Sequence, residues 1–203
     1  MPKKLSPMME QYFQIKDNYQ DCILFYRVGD FYEMFYDDAL EASRVLEIAL
    51  TGKNCGQEER APMCGVPFHS AETYIHKLVD KGYKVGICEQ VEDPATAKGI
   101  VKRDVIKIIT PGTLTSQMML NESENNYLAA IYCDKAGISI SYCDISTGEL
   151  RTTEMTAGND IYNDMINEIC RIGCKEIIAN EGFEDIFSKE KLADASGAYV
   201  QIK

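Results

Sequence analysis

The sequence predicts an α/β protein: a mixed β-sheet flanked by helices, followed by a second, smaller sheet unit. Three observations carry this. Apolar periodicity over residues 1–112 switches between the helical and the strand repeat in the order helix, strands, helix, helix, strand, strand. Residues 113–126 are polar and poorly periodic, with Asn121, Glu122, Ser123, Glu124, Asn125 and Asn126 in a row, and read as a linker. From Tyr127 the pattern starts again as three meandering strands, a helix and a strand. The chain of 203 residues, 45% hydrophobic and 26% charged, is long enough for two such domains, 1–112 and 127–203.

Ser6-Pro7 marks the first helix start, with Ser at the cap position and Pro in the first turn. Met9, Tyr12 and Phe13 form its apolar stripe, to about Asn18. Ile23 to Tyr36, ILFYRVGDFYEMFY, follows as strand, turn, strand, interrupted by Gly29-Asp30. Past that turn the period is two, so Phe31, Glu33 and Phe35 share one face and Tyr32, Met34 and Tyr36 the other. Asp37-Asp38 opens a helix, since acids suit its positive N-terminus. Leu40 to Leu50 continue it and Thr51-Gly52 ends it. Residues 51–62 read as a polar loop, whose T-G-K lacks the spacing of a phosphate-binding loop. Met63 to His69 is apolar but broken by Gly65 and Pro67, which predicts a loop that touches a partner or folds back on the domain. Ser70 caps a helix over 71–81, stopped by Gly82. His69 and His76 read as structural histidines. Tyr83–Val91 alternates as a strand, Pro94–Gly99 makes one helical turn, 101–110 is a further strand, and Thr110-Pro111-Gly112-Thr113 closes the unit.

In the second unit YLAAIYCD and ISISYCDIS form a hairpin over Lys135-Ala136-Gly137, and Thr147-Gly148 turns into a third strand, ELRTTEM. Ala157 to Ile172 carries Ile161, Met165, Ile169 and Ile172 on one helical face, and Glu176–Ala179 is a strand. This order is that of the beginning of a ribonuclease-H-like sheet. The sequence ends before the later helices of such a unit, and the reading is therefore of a fragment.

Composition excludes several classes. No apolar stretch has the length of a membrane span, and MPKKLSPMME has no signal-peptide core. Eight cysteines without CxxC spacing, beside two histidines, argue for free thiols in a reducing compartment and against a structural zinc site. The net charge of −11 runs against nucleic-acid binding. It is uneven, however: residues 1–110 hold 14 basic and 17 acidic residues, residues 111–203 hold 7 and 15. A local basic face is compatible with that balance.

The Phe31–Glu33 pair is the chemical feature of the chain. A ring and an acid on one strand face make a poor core, because a buried unpaired carboxylate is costly. They make a workable tool for wedging into stacked bases. The same residues also read as a half-buried strand with Glu33 at its rim. Two competitors come from the acids and the charge. Asp30, Glu33, Asp37, Asp38 and Glu89, with Asp134 and Asp144, are candidate ligands of a metal-dependent nuclease. The acidic second unit suits a protein-interaction scaffold.

Four motifs in order then carry a resemblance: LFYRVGDFYEMFYDDA, MCGVPFHSAETYI, GYKVGICEQVEDPATAKG and VIKIITPGT. The first domain resembles the mismatch-recognition domain of the MutS family of DNA mismatch repair proteins, and residues from 127 onward resemble the start of its connector domain. The resemblance implies that Phe31 is a wedge entering the minor groove at a mispaired base, and that Glu33 hydrogen-bonds that base. It implies backbone contacts by Arg103, Lys53 and Arg60, and a loop with Met63 and Pro67 beside the wedge. It further implies mismatched duplex DNA and a MutL-like protein as partners, a full-length homodimer, and a cytoplasmic, nucleoid-associated bacterial location. No cofactor and no catalysis are expected of this part; ATP and Mg belong to other regions of the family's full-length protein.

Overall fold

The computed structural model describes residues 5–97, 99–114 and 125–203. The chain divides into two compact units, Met1–Ile109 and Thr110–Lys203. Most of the expected linker, residues 115–124, lies outside the described residues, as does Lys98 of the expected Pro94–Gly99 turn.

The first unit is a mixed six-stranded sheet with helices on both faces, as its alternating patterns predict. Its elements are α1 (Pro7–Lys16), β1 (Cys22–Val28), β2 (Phe31–Phe35), α2 (Tyr36–Leu46), β3 (Thr51–Lys53), β4 (Ala61–Pro67), α3 (Ala71–Asp80), β5 (Lys84–Gln90) and β6 (Arg103–Ile109). The strand order is β3-β4-β2-β1-β5-β6. β1 runs parallel to β5; the other pairings are antiparallel. Because side chains alternate along each strand, the register gives each face its own core. On one face Leu24, Tyr26, Phe35, Ala61 and Cys88 pack against Met9 and Tyr12 of α1. The Tyr12 ring meets Tyr26 and Phe35 edge-on at 5.5 and 5.1 Å. Burying side chains of this size contributes about 1.5–3 kcal/mol each. On the other face Phe25 meets Tyr32, at 5.8 Å, and Ala39, Ala42 and Leu46 of α2 and Ile75, Leu78 and Val79 of α3 are buried.

One buried carboxylate ties this unit together. Asp38 accepts from the Leu24 amide at 3.0 Å, Lys16 Nζ at 2.8 Å and Tyr12 Oη at 3.3 Å. Burial pushes its carboxyl above the ordinary range, and the Lys16 ammonium pulls it back.

Several local expectations are corrected. α2 stops at Leu46 rather than Leu50, because Glu47 turns left-handed at φ 57. Thr51–Lys53, expected as helix end and loop, pairs with β4 as an edge strand. Met63–Pro67 is no loop: it pairs along its length with β2, while Ala61–Met63 pairs with β3, and this ladder outweighs the poor strand propensity of Gly65 and Pro67. Ser6 and Ser70 stand at cap positions without capping through their side chains, and Ser70 Oγ donates to the Pro67 carbonyl instead. The single helical turn expected after Pro94 is present, with the Asp93 carbonyl accepting from the Thr96 and Ala97 amides and the Asp93 side chain from the Ala95 amide.

The second unit has β7 (Tyr127–Cys133), β8 (Gly137–Asp144), β9 (Glu149–Thr156), α4 (Ile161–Ile172), β10 (Glu176–Ala179), α5 (Lys189–Ser196) and β11 (Tyr199–Ile202). The sheet order is β11-β10-β7-β8-β9, an antiparallel meander with β10 and β11 added parallel to β7. This is the ribonuclease-H-like order the sequence predicts, extended by α5 and β11. The Pro111–Thr113 turn, expected to close the first unit, packs against β7 and β10. Glu176, 2% exposed, accepts from the Thr110 hydroxyl and from the Gly112 amide at 3.0 Å. A Cβ at Gly112 would lie 2.8 Å from Glu176 Cβ, so only glycine fits.

Candidate nucleic-acid interface

The candidate site grows from the turn between β1 and β2. Gly29 adopts φ 57, a conformation natural to glycine. The turn releases Phe31 as the first residue of β2, paired with Val28 of β1 and Pro67 of β4. Hydrogen-bonded neighbours on both sides fix the backbone of β2, yet the Phe31 ring is 47% exposed. An exposed phenyl on a backbone held this firmly is an apolar tip with little freedom to fold away.

Glu33 follows on the same face, opposite Tyr26 and Gly65. A Cβ at Gly65 would approach the Tyr32 carbonyl to 3.2 Å and Glu33 Cγ to 3.6 Å, so glycine leaves the acid room to lie across β4. There its carboxylate is bonded to Lys53 Nζ from β3. Lys53 also stands 5.7 Å from the centre of the Phe35 ring. The acid is thus neither buried alone nor free, and the site holds a shielded ion pair beside an open ring.

The structure gathers some of the expected contact residues and separates others. Phe31, Glu33, Lys53, Met63 and Pro67 share one sheet face by register. Arg60 is exposed, but its side chain lies over Gly52, on the opposite side of β3 from Lys53. Arg103, expected as a backbone contact, is largely buried. It is 9% exposed and its guanidinium donates to the Arg27 carbonyl at 2.7 Å, the Val101 carbonyl at 2.9 Å and Gln11 at 3.1 Å, over the Tyr26 ring. Nε and Nη1 are thus turned toward protein acceptors.

Behind the turn, on the face away from Phe31, lies a cluster that the sequence reading missed: Arg27, Tyr32, Phe68 and Glu89. Tyr32 Oη donates to Glu89, and Arg27 pairs with the same carboxylate at 3.4 Å. Burial, then the Glu89 carboxylate, pushes the Tyr32 phenol up to about 12. The available signal was the period-two rule, which puts Arg27 on the Phe25 face, where a charge needs partners.

Of the acids proposed as nuclease ligands, Glu33, Asp38, Glu89, Asp134 and Asp144 are engaged with other partners, while Asp30 and Asp37 are exposed. Asp38 and Glu89 have the partners given above. Asp144 accepts from Ser146 Oγ at 2.6 Å and Ser146 N at 2.8 Å, and Asp134 from the Ala136 amide at 2.8 Å. Among the described residues no three His, Cys, Asp or Glu side chains converge as a metal set. Nor is any helix among them long and apolar enough to cross a membrane.

Fold and site define a two-unit α/β protein: a helix-flanked mixed sheet that presents the Phe31 ring at a strand end, followed by a ribonuclease-H-like sheet. The family description "MutS domain I" matches residues 6–118 and "MutS domain II" matches residues 126–200. The chain belongs to the MutS family. It is 57% identical over 197 residues to the DNA mismatch repair protein MutS of Acetivibrio thermocellus, and 56% identical over 197 residues to that of Clostridioides difficile. These alignments cover 97% of this chain, 22% of the first relative and 20% of the second. The MutS protein of Staphylococcus carnosus is 54% identical over 178 residues, 86% of this chain and 20% of that protein. The chain thus spans about a fifth of the length of the curated relatives it matches.

Proposed function

We propose that the first unit recognises mispaired or unpaired bases in duplex DNA and so initiates mismatch repair. Phe31 is the wedge, entering the minor groove and stacking on the displaced base, and Glu33 accepts a hydrogen bond from that base. The observation that carries this reading is the half-exposed Phe31 ring on a strand paired along both edges, next to an ion-paired Glu33.

The energetics favour selectivity by deformation. Unstacking one base step costs roughly a few kcal/mol, and stacking on an aromatic ring returns about 1–3 kcal/mol. In a paired duplex the two nearly cancel. A mispaired base has already lost part of its stacking and pairing, so the kink costs less there, whatever the sequence. Glu33 sharpens the choice, since a carboxylate is repelled by phosphates unless a displaced base offers it a donor. The Lys53 pair holds that charge in check until duplex arrives.

The partners follow from the same reading. Mismatched duplex binds the first unit, and a MutL-like protein docks on the second. The whole polypeptide acts as a homodimer, with ATP and Mg bound elsewhere. The Thr51-Gly52-Lys53 run does not suit phosphates of ATP, because it is a β-strand whose lysine is paired with Glu33.

The test is a titration of the full-length polypeptide with G·T, single-base-loop and fully paired duplexes. Phe31→Ala is expected to abolish the preference for the first two over the third. Equal discrimination by the variant overturns the assignment.

A further inference from the structure

We propose that Arg27 is a positioning residue for the Phe31 wedge, clamping the Gly29-Asp30 turn from the opposite side of the sheet. The inference rests on the wedge reading of Phe31. Both carbonyls of the turn are held, one from this side by a side chain and one by the backbone that continues β4. Arg27 Nε donates to the Gly29 carbonyl at 2.5 Å, and the Phe68 amide donates to the Asp30 carbonyl at 3.0 Å. The two clamps are joined to each other, because the Arg27 guanidinium stacks 3.7 Å from the centre of the Phe68 ring. They are also anchored in the sheet: Arg27 lies opposite Tyr32 in the β1–β2 register, and both side chains engage Glu89 of β5.

The arrangement makes Arg27 a brace and not a phosphate contact. Its side chain is 16% exposed and its charge is matched by Glu89. The turn itself supplies little stiffness. Gly29 has no side chain, and nothing lies within 4 Å of where its Cβ would stand. A ring driven between stacked bases pushes back on its own backbone. Were this turn to yield, part of the stacking energy would go into ordering it. Lysine cannot replace arginine in this role: it keeps the charge but cannot lie flat on Phe68 while also reaching Gly29 and Glu89.

The experiment uses the full-length polypeptide as wild type, Arg27→Lys, Phe68→Leu, Phe31→Ala and the Arg27→Lys/Phe31→Ala double variant. Each is titrated with a single-base-loop duplex and a paired duplex over a range of salt. 2-Aminopurine beside the loop reports unstacking. Arg27→Lys is expected to weaken loop binding about fivefold, the loss of one ordinary hydrogen bond, and to lower the 2-aminopurine signal at saturation. Paired-duplex affinity and its salt slope stay unchanged, and in the Phe31→Ala background the substitution has no effect. Phe68→Leu removes the ring under the guanidinium and shifts the same readouts in the same direction; it decides the matter if Arg27→Lys does not fold. Wild-type behaviour of the folded clamp variants overturns the proposal. So does equal weakening on both duplexes with a shallower salt slope, which would make Arg27 a phosphate contact, or an undiminished effect without the Phe31 ring. If wild type and Phe31→Ala bind loop and paired duplex alike, the wedge reading itself fails, the clamp falls with it, and the same titration shows which of the two has failed.

Discussion

Removing Glu33 should make the protein bind ordinary DNA better and tell damaged pairing apart worse. In the free protein its carboxylate neutralises Lys53, and the two side chains are only 14% and 26% exposed. Glu33→Ala therefore deletes one negative charge facing the duplex and frees one ammonium for a phosphate. Each additional phosphate contact steepens the dependence of log affinity on log salt by about 0.9. Between 50 and 200 mM salt that corresponds to an added loss of about 3.5-fold, with the gain in paired-duplex affinity greatest at the low end. The mismatched duplex receives the same electrostatic gain but loses a charge-assisted hydrogen bond, about 1.5–3 kcal/mol, so the preference falls by about tenfold or more. Fluorescence anisotropy of the full-length polypeptide on paired and single-base-loop duplexes, repeated across salt, measures both effects. The Glu33→Ala/Lys53→Met variant should return the slope to its wild-type value. An unchanged slope in Glu33→Ala, or weaker binding to the paired duplex, would refute the reasoning.

Three further outcomes follow from the scaffold. Glu47 is exposed and left-handed at φ 57; Glu47→Gly relieves about 1–2 kcal/mol of backbone strain against roughly 0.5–1 kcal/mol of added chain entropy, so thermal unfolding should move up by about 2–4 °C. Gly112→Ala forces a methyl against Glu176 Cβ at 2.8 Å and should destabilise the second unit by about 1–3 kcal/mol, read as a lower unfolding midpoint in urea. The Ser146 hydroxyl, then the Ser146, Asn126 and Thr147 amides, hold the Asp144 carboxyl below its ordinary value of 3.8. Its folded form thus binds protons less readily than its unfolded form, and its contribution is complete above that value and lost as pH falls through the lowered one. Asp144→Ala should be less stable than wild type at neutral pH, and denaturant curves at successively lower pH should show the gap closing in acid.

What the sequence disclosed and what it hid have physical reasons. The Phe31–Glu33 pair was legible because Gly29-Asp30 resets the period just before it, and a ring and an acid on one face contradict core design. The ribonuclease-H-like order was legible because three alternating strands end in clear turn residues. The end of α2 was hidden because its left-handed terminator is a glutamate, where glycine is the usual mark. β4 was hidden by Gly65 and Pro67, whose reasons lie in a neighbouring strand: Gly65 makes space for Glu33, and Pro67 stands opposite Phe31. α5 and β11 went unread because KEKLADAS buries a single leucine, Leu192, and so shows almost no apolar stripe. The burial of Arg103 over Tyr26 was hidden because a charge on a strand says nothing about its tertiary partners.

The direction of the Phe31 side chain is fixed by the same forces that build the core. A slip of one residue in β2 against its neighbours would turn Phe31 and Glu33 into the face covered by α2 and α3, and expose Tyr32 and Met34. Three contacts oppose that slip. Phe35 is wholly buried between Tyr12 and Tyr26. Tyr32 is bonded to Glu89 on the opposite face. Glu33 has its side chain accommodated opposite a glycine, whereas a shift to Cys64 or Val66 would confront it with a buried apolar neighbour. Each displaced group would cost more than the roughly few kcal/mol at stake in a single kinked base step. In the recognition proposed above, the strand would therefore hold its ring in place, and the duplex, where its pairing is already damaged, would be the part that deforms.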